Sequence, residues 1–437
     1  MVSIWSTRSV RTVLALVLVL CVSLPSFAAS ISTRREPRNG RRVKESSSTE
    51  KRMAASRHSR PVTREKAPAA KASARGKAGK AGKAVAAEGK SSKKGAKVVA
   101  ASRTTRGSKR PAKVWERFTA TSFDGNPEAG DQTAGEDPVV RRAAVEALGT
   151  INGTVVAIDP SNGRILAMVN QKLALSSGAQ PCSTIKVSVA LAALSEGIVT
   201  KDTPVKLGNW QLDMNHALAH SNNQYFETLG RRLGFQKVSY YAHQYGLGEL
   251  AGWNIPGEHL GTYPTEEIPQ SEGGVGKMCS FGEGVNMTPL QLGAMLASIA
   301  NGGTLYYLQH PRSAMEVASY QPRVKRYLDI APLIPEVSEG MLGATQYGTA
   351  RKLRASFTTD EVFGKTGTCS NDGTRFGWFG SFTNSPNGRI VTVIFLRGDH
   401  SVFGPKAAEL AGRLYRSLED AHYFAGKSGG VRAVAAR

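Results

Sequence analysis

The sequence predicts an α+β fold in which an antiparallel β-sheet flanked by helices takes strands from both ends of one domain and encloses a helical insert. A long basic segment without fixed structure precedes that domain. Three observations lead there. Runs of β-forming residues bounded by turn signals lie at 154–169 and again at 363–396, and helical spacing dominates between them to about residue 300. Strands and helices segregated in this way suit helices packed on an antiparallel sheet rather than alternating βα units. The charge is equally segregated. The chain of 437 residues carries a formal +23, yet residues 30–115 hold 26 basic and 5 acidic side chains, whereas residues 116–437 hold 29 of each.

At the N-terminus, Arg8 and Arg11 precede the apolar run from Val13 to Val22, and Pro25 and Ser26-Phe27-Ala28-Ala29 follow. A basic start, an apolar core and small residues at −3 and −1 of a cut after Ala28 predict an export signal over residues 1–29. The run is short beside the about 20 residues of a membrane span, and an uncleaved anchor over 13–29 is the alternative. Either places the remainder outside the cytoplasmic membrane. Cys21 follows Val19 and Leu20, which is no lipoprotein context.

No Phe, Trp or Tyr occurs between residues 30 and 114, where Lys, Arg, Ala, Ser and Gly dominate. Such a segment has too little apolar surface to offset the entropy of ordering, so 30–115 is predicted disordered. Its charge suits attraction to anionic lipids or anionic wall polymers; the plainer reading is a solvated spacer. Nucleic acid is excluded as a partner by the export signal. The folded domain is assigned to 116–425 and a C-terminal tail to 426–437.

Within the domain, Pro138 to Leu148 has helical periodicity closed by Gly149. Thr154–Asp159 and Arg164–Val169 read as a hairpin about the turn Pro160-Ser161-Asn162-Gly163. A helix begins near Pro181 and runs to about Glu196. Asn223–Leu233, Val238–Tyr245 and Pro289–Ala300 are further helices. Strands follow at Phe363–Thr368, Gly377–Thr383 and Ile390–Leu396, with a turn at 384–388 and a closing helix at Pro405–Leu418.

Chemistry first suggests itself at Ser183-Thr184-Ile185-Lys186. Residues three apart share a helix face, so a desolvated Lys186 amine would reach the Ser183 hydroxyl and could make it a nucleophile. The tetrad is common by chance, and two more stretches bear on it. Ser221 and Asn223 sit two apart on a turn opening a helix. Ser221 could relay protons between Lys186 and a leaving group, and Asn223 could hydrogen-bond a substrate amide; the competing reading is a helix N-cap. Lys365-Thr366-Gly367-Thr368 lie on a strand. There Lys365 would supply positive potential for a carboxylate, Thr366 and Thr368 would hydrogen-bond it, and Gly367 would admit another backbone; the competing reading is an edge strand with a solvated lysine.

S-x-x-K, S-x-N and K-T-G in this order resemble the motifs of penicillin-binding proteins and serine β-lactamases. The likeness extends over about residues 138–420. It includes Val155–Val169, which resembles the strand pair opening transpeptidase domains, Tyr240–Gly248, Ser280–Gly284, Ala300–Gly303 and Trp378-Phe379-Gly380. The resemblance implies a β-lactamase/transpeptidase-like fold and a serine D,D-transpeptidase acting on peptidoglycan stem peptides. Ser183 would form the acyl-enzyme and Lys186 take its proton. Ser221, its acidity shaped by Lys186 and Lys365, would pass a proton to the leaving D-alanine. Asn223, Thr366, Gly367 and Thr368 would bind substrate, and the N–H groups of Ser183 and Thr368 would form the oxyanion hole. β-Lactams would acylate Ser183; no metal or organic cofactor is implied. The family's frequent proline-glycine before the nucleophile is here Pro181-Cys182, and no glycosyltransferase-like, pedestal or PASTA-like region is recognisable.

Three other activities remain open. A D,D-carboxypeptidase or endopeptidase differs only in the acceptor. A class D-like β-lactamase normally has an apolar residue where this chain has Asn223. A non-catalytic β-lactam sensor would not need the intact motifs. Without Cys21, three cysteines remain, Cys182, Cys279 and Cys369. One disulfide among them and three free thiols are equally compatible with the sequence, and the placement of Cys182 beside Ser183 and of Cys369 beside Thr368 makes their pairing the local question.

Overall fold

The computed structural model describes residues 116–385 and 388–425. The predicted export signal or anchor (1–29), the basic segment (30–115) and the C-terminal tail (426–437) lie outside the described residues. Among those described, no helix is long and apolar enough to cross a membrane.

The first helix, α1 (Pro138–Leu148), starts where Asp137 accepts hydrogen bonds from the Val139 and Val140 N–H groups and Pro138 takes a first-turn position needing no N–H donor. The chain then forms a hairpin of β1 (Gly153–Asp159) and β2 (Arg164–Val169). After the helical region come β3 (Val362–Asn371), β4 (Thr374–Thr383) and β5 (Val391–Gly398). The five strands form one antiparallel sheet in the order β2-β1-β5-β4-β3. The N-terminal hairpin is thus joined to the C-terminal strand, with Val155 opposite Ile394 and Val156 opposite Val393.

Both faces of the sheet are covered, which is why β1 and β5 are almost continuously apolar. Alternate residues point to opposite faces. Val155 and Ala157 join a core with α1 and the closing helix Gly404–Asp420, through Val140, Ala144, Leu414 and Tyr415. Val156 and Ile158 join the larger core, with Leu191 of the helix Lys186–Ser195 and Leu292 and Leu296 of the helix Pro289–Ala300. The latter helix is buried along its whole length and begins with a reciprocal Thr288–Gln291 capping box.

The expected α+β architecture is present, with additions. Two ribbons of three- and four-residue strands, Val205–Leu207 with Trp210–Leu212 and Thr304–Tyr306 with Val324–Tyr327, are too short to give a periodic signal. The helix Ile334–Gln346 was not expected. It packs on the helix Met214–Ala219, whose end leads into Ser221, and anchors β3 through a Thr345 hydroxyl that donates to the Val362 carbonyl at 2.7 Å.

Candidate active site

The nucleophile segment departs from a regular α-helix where it matters. Cys182–Ile185 is a 3₁₀ turn and the α-helix begins at Lys186. In a 3₁₀ turn side chains at i and i+3 eclipse, so the three-residue spacing sets Lys186 over Ser183 more closely than an α-helix would. The Lys186 Nζ lies 2.6 Å from Ser183 Oγ, 2.8 Å from Asn223 Oδ1, and in hydrogen-bond contact with the Ser280 carbonyl. Lys186 is fully buried, whereas Ser183 is partly open.

Burial pushes the Lys186 amine well below the ordinary lysine range, and the nearby charge of Lys365 pushes it the same way against an opposing pull from Glu227. The arrangement has a chemical consequence. The Asn223 oxygen and the Ser280 carbonyl can only accept. A neutral amine has two N–H bonds for them and one lone pair, which is left for the Ser183 hydroxyl.

The competing N-cap reading of the second motif falls on another residue. Asn222 is the N-cap of the helix Asn223–Leu233, accepting from Tyr225 N–H at 2.8 Å. That leaves Ser221 and Asn223 free to face the site. Ser221 has φ +57°, a left-handed conformation that a β-carbon makes unfavourable. Its hydroxyl accepts from Lys365 Nζ at 2.8 Å. Ser221 was expected to relay protons between Lys186 and a leaving group; no hydrogen bond joins it to Lys186 among the described residues. The two amines instead hold separate hydroxyls, Lys186 with Ser183 and Lys365 with Ser221.

β3 is an edge strand, as one reading of Lys365–Thr368 had it, but its lysine is not solvated. Lys365 is 1% exposed, and burial brings its amine down to about 7. It also donates to the Thr366 carbonyl at 3.1 Å. The Thr366 hydroxyl donates to Thr349 Oγ1 at 2.7 Å, and Thr368 Oγ1 accepts from the Gly404 N–H at 2.8 Å. Gly367 was expected to admit another backbone, and one does approach it. The backbone that approaches it is the chain's own, since a β-carbon there would meet the Pro181 carbonyl oxygen at 2.8 Å and Thr184 Cγ2 at 3.2 Å. The nucleophile turn is seated directly on β3. Trp378 of β4 donates to the Gln180 carbonyl at 3.0 Å, and a disulfide joins Cys182 to Cys369. Cys279 is a buried free thiol whose burial raises its pKa.

Three contributors were not found by sequence reasoning. The Ser280 carbonyl is backbone, so its residue type carries no trace of its role. Thr349 follows Gly348, where a β-carbon would lie 2.1 Å from the Ala219 carbonyl oxygen, and this Gly-Thr pair at the foot of a helix was the available signal. The Cys182–Cys369 pairing required the tertiary structure. An open groove of about 610 Å³ is lined by Thr368 and Cys369 together with Gln180, Lys277, Phe281 and Arg375.

The helix-covered antiparallel sheet thus carries Ser183 beside the buried Lys186 amine. Residues 153–416 match the family model described as the penicillin binding protein transpeptidase domain. The chain belongs to this family. It is 28% identical over 256 residues to stage V sporulation protein D of Bacillus subtilis, covering 49% of this chain and 39% of that protein. It is 25% identical over 345 residues to the peptidoglycan D,D-transpeptidase MrdA of Acinetobacter baumannii, covering 61% and 51% respectively. The chain therefore spans about half or less of the length of these curated relatives. Among solved structures, Pseudomonas aeruginosa PBP2 in complex with WCK 5153 superposes with a TM-score of 0.53 at 23% identity, covering 66% of this chain and 77% of that one. The D,D-transpeptidase domain of a peptidoglycan glycosyltransferase from Eggerthella lenta gives 0.51 at 20% identity, covering 66% and 82%. At these identities the structures establish the shared fold.

Proposed function

We propose that the protein is a serine D,D-transpeptidase that cross-links peptidoglycan stem peptides through an acyl-enzyme at Ser183. The observation that carries this reading is the Lys186 amine, buried, without a carboxylate among its hydrogen-bond partners, and bound to two obligate acceptors besides Ser183. In its neutral form it takes the Ser183 proton as the oxygen attacks the carbonyl between two D-alanines. The N–H groups of Ser183 and Thr368 receive the developing oxyanion, each such donor contributing about 3 kcal/mol in comparable sites. Ser221, polarised by Lys365, hands a proton to the departing amine. Lys365, Thr366 and Thr368 receive the terminal carboxylate. Asn223 keeps its oxygen on Lys186 and presents its N–H₂ to the peptide. An acceptor amine then resolves the acyl-enzyme, and a β-lactam acylates the same serine.

This chemistry belongs outside the cytoplasmic membrane. Residues 1–29 would provide export or anchoring, and the basic stretch 30–115 would be drawn to anionic lipids or wall polymers, ahead of a catalytic domain at 116–425.

The test is labelling of the purified protein by fluorescent penicillin, followed by mass spectrometry of products from a pentapeptide with and without an acceptor amine. Labelling that disappears in Ser183→Ala, together with cross-linked product, is the expected result. Labelling retained in that variant overturns the assignment of the nucleophile. Released D-alanine without cross-links replaces transpeptidation by carboxypeptidation, and rapid turnover of nitrocefin replaces it by β-lactamase activity.

A further inference from the structure

The disulfide occupies a position that the proposed chemistry leaves unexplained. Its two cysteines are 187 residues apart in sequence, and each is the immediate neighbour of one oxyanion donor, Cys182 of Ser183 and Cys369 of Thr368. Cys182 has φ +52°, a left-handed backbone that disfavours any residue with a β-carbon. The Ser183 N–H stands in the first turn of its helix and bonds no acceptor among the described residues, whereas the next N–H, of Thr184, is held by the Pro181 carbonyl. The direction of the free N–H therefore depends directly on the conformation of Cys182. Besides the bridge, the turn is held to the sheet by the seat at Gly367 and the Trp378–Gln180 hydrogen bond. Both lie on the Gly367 side of Thr368. Beyond Thr368 the strand runs, still paired with β4, into the exposed tip at Asn371 and Asp372, where Ser370 donates to Glu116 and the Thr119 N–H donates to the Gly373 carbonyl; the bridge at Cys369 is the tie between this end of the strand and the nucleophile turn.

We propose that Cys182 and Cys369 are positioning residues. Their disulfide clamps the nucleophile turn to the end of β3, holds Cys182 in its left-handed conformation, and so keeps the Ser183 and Thr368 N–H groups converged on one oxyanion position. Acylation is then faster in the oxidised than in the reduced protein. The groove beside Thr368 is lined by Cys369, so a small dithiol can reach the bond. Dithiothreitol supplies two electrons and two protons; the bridge becomes two thiols and the reagent becomes its cyclic disulfide.

The inference rests on the proposed acyl transfer at Ser183, and its experiment separates the two. Acylation rate constants for fluorescent penicillin would be measured on full-length protein, oxidised and treated with dithiothreitol, normalised to folded protein. Reduction should slow acylation about 10-fold, the scale of releasing one strained residue at an active site. Cys182→Ser with Cys369→Ser should be slow in both conditions. Cys182→Gly with Cys369→Ser, in which glycine accepts the left-handed backbone without a bridge, should recover to within about 3-fold of the oxidised protein. A purely structural bridge would lower thermal stability in both double variants and leave their rates per folded molecule equal to the oxidised protein's, which overturns the proposal. Amide exchange, which needs no substrate, gives the independent readout. Reduction should increase exchange in peptides covering 180–186 and 366–371, and unchanged exchange there overturns the clamp even in a protein that labels. Oxidised protein that shows this redox-dependent protection but never labels overturns the acyl-transfer reading and supports the clamp.

Discussion

Replacing Lys365 with methionine tests the electrostatics of the site through stability. The amine is fully buried, bonded to Ser221 and the Thr366 carbonyl, and held at about 7 where an exposed lysine has 10.5. Its pKa in the fold lies below that in the unfolded chain, so between these values the unfolded chain binds more protons and stability rises with pH. At pH 7 the unfolded state is fully protonated and the native state about half, which corresponds to a destabilisation of about 4 kcal/mol, falling to about 2 kcal/mol at pH 9. Methionine has similar length and no charge. Its loss of two hydrogen bonds costs about 2 kcal/mol in total, so the variant should gain about 2 kcal/mol at pH 7 and nothing at pH 9. Lys365 is also the second cause of the depressed Lys186 amine, so the comparison is made with Lys186→Met already in place. Guanidinium unfolding at the two pH values, read as midpoint and slope, provides the measurement. A variant less stable than its parent at pH 7, or a difference that does not shrink towards pH 9, refutes the reasoning. In the otherwise native protein the same substitution should abolish penicillin labelling, making Lys365 a residue kept at the expense of stability.

Other outcomes follow from the same geometry. Gly367→Ala places a methyl against the Pro181 carbonyl, a backbone atom that cannot swing aside, and should destabilise by about 1–3 kcal/mol while slowing acylation at least 10-fold; an unchanged melting temperature with a rate within twofold contradicts the seating of the turn on β3. Thr349→Val leaves the buried Thr366 hydroxyl without its acceptor and should cost about 1 kcal/mol with several-fold slower acylation, read by thermal melts and labelling rates. The acylation rate should rise with pH as Lys186 loses its proton, beginning well below the ordinary lysine range, and fall above about 7 as Lys365 loses its charge. Lys365→Arg should remove the falling limb and keep the rising one; a profile unchanged by that substitution contradicts the assignment of Lys365.

Much of the fold was legible because the informative signals were local. The hairpin 153–169 announced itself by a turn rich in Pro, Ser, Asn and Gly between apolar strands, and Pro289–Ala300 by a proline start and an unbroken apolar run. The segment 116–137 had no such pattern. It is ordered by long-range polar contacts: Asp131 accepts from the Asn170 and Gln171 N–H groups and pairs with Arg141, while Glu136 meets Arg141 and His310. These residues read as surface charge in one dimension and are partly or wholly buried in three.

The sequence by itself determined the residues that meet at the site. Ser183 and Lys186 share a turn because of their spacing, Ser221 and Asn223 flank a cap, and Lys365 to Thr368 lie along one strand. All three relations are short-range consequences of helix and strand geometry. Only the tertiary structure decided what those residues can do. Burial from several elements is what lowers the pKa of both amines, a carbonyl from Ser280 orients one of them, and the chain's own Pro181 approaches Gly367. Of the three cysteines among the described residues, the two beside Ser183 and Thr368 are the ones joined. Desolvation, close approach and pairing are properties of neighbours brought from far along the chain, and no local pattern encodes them.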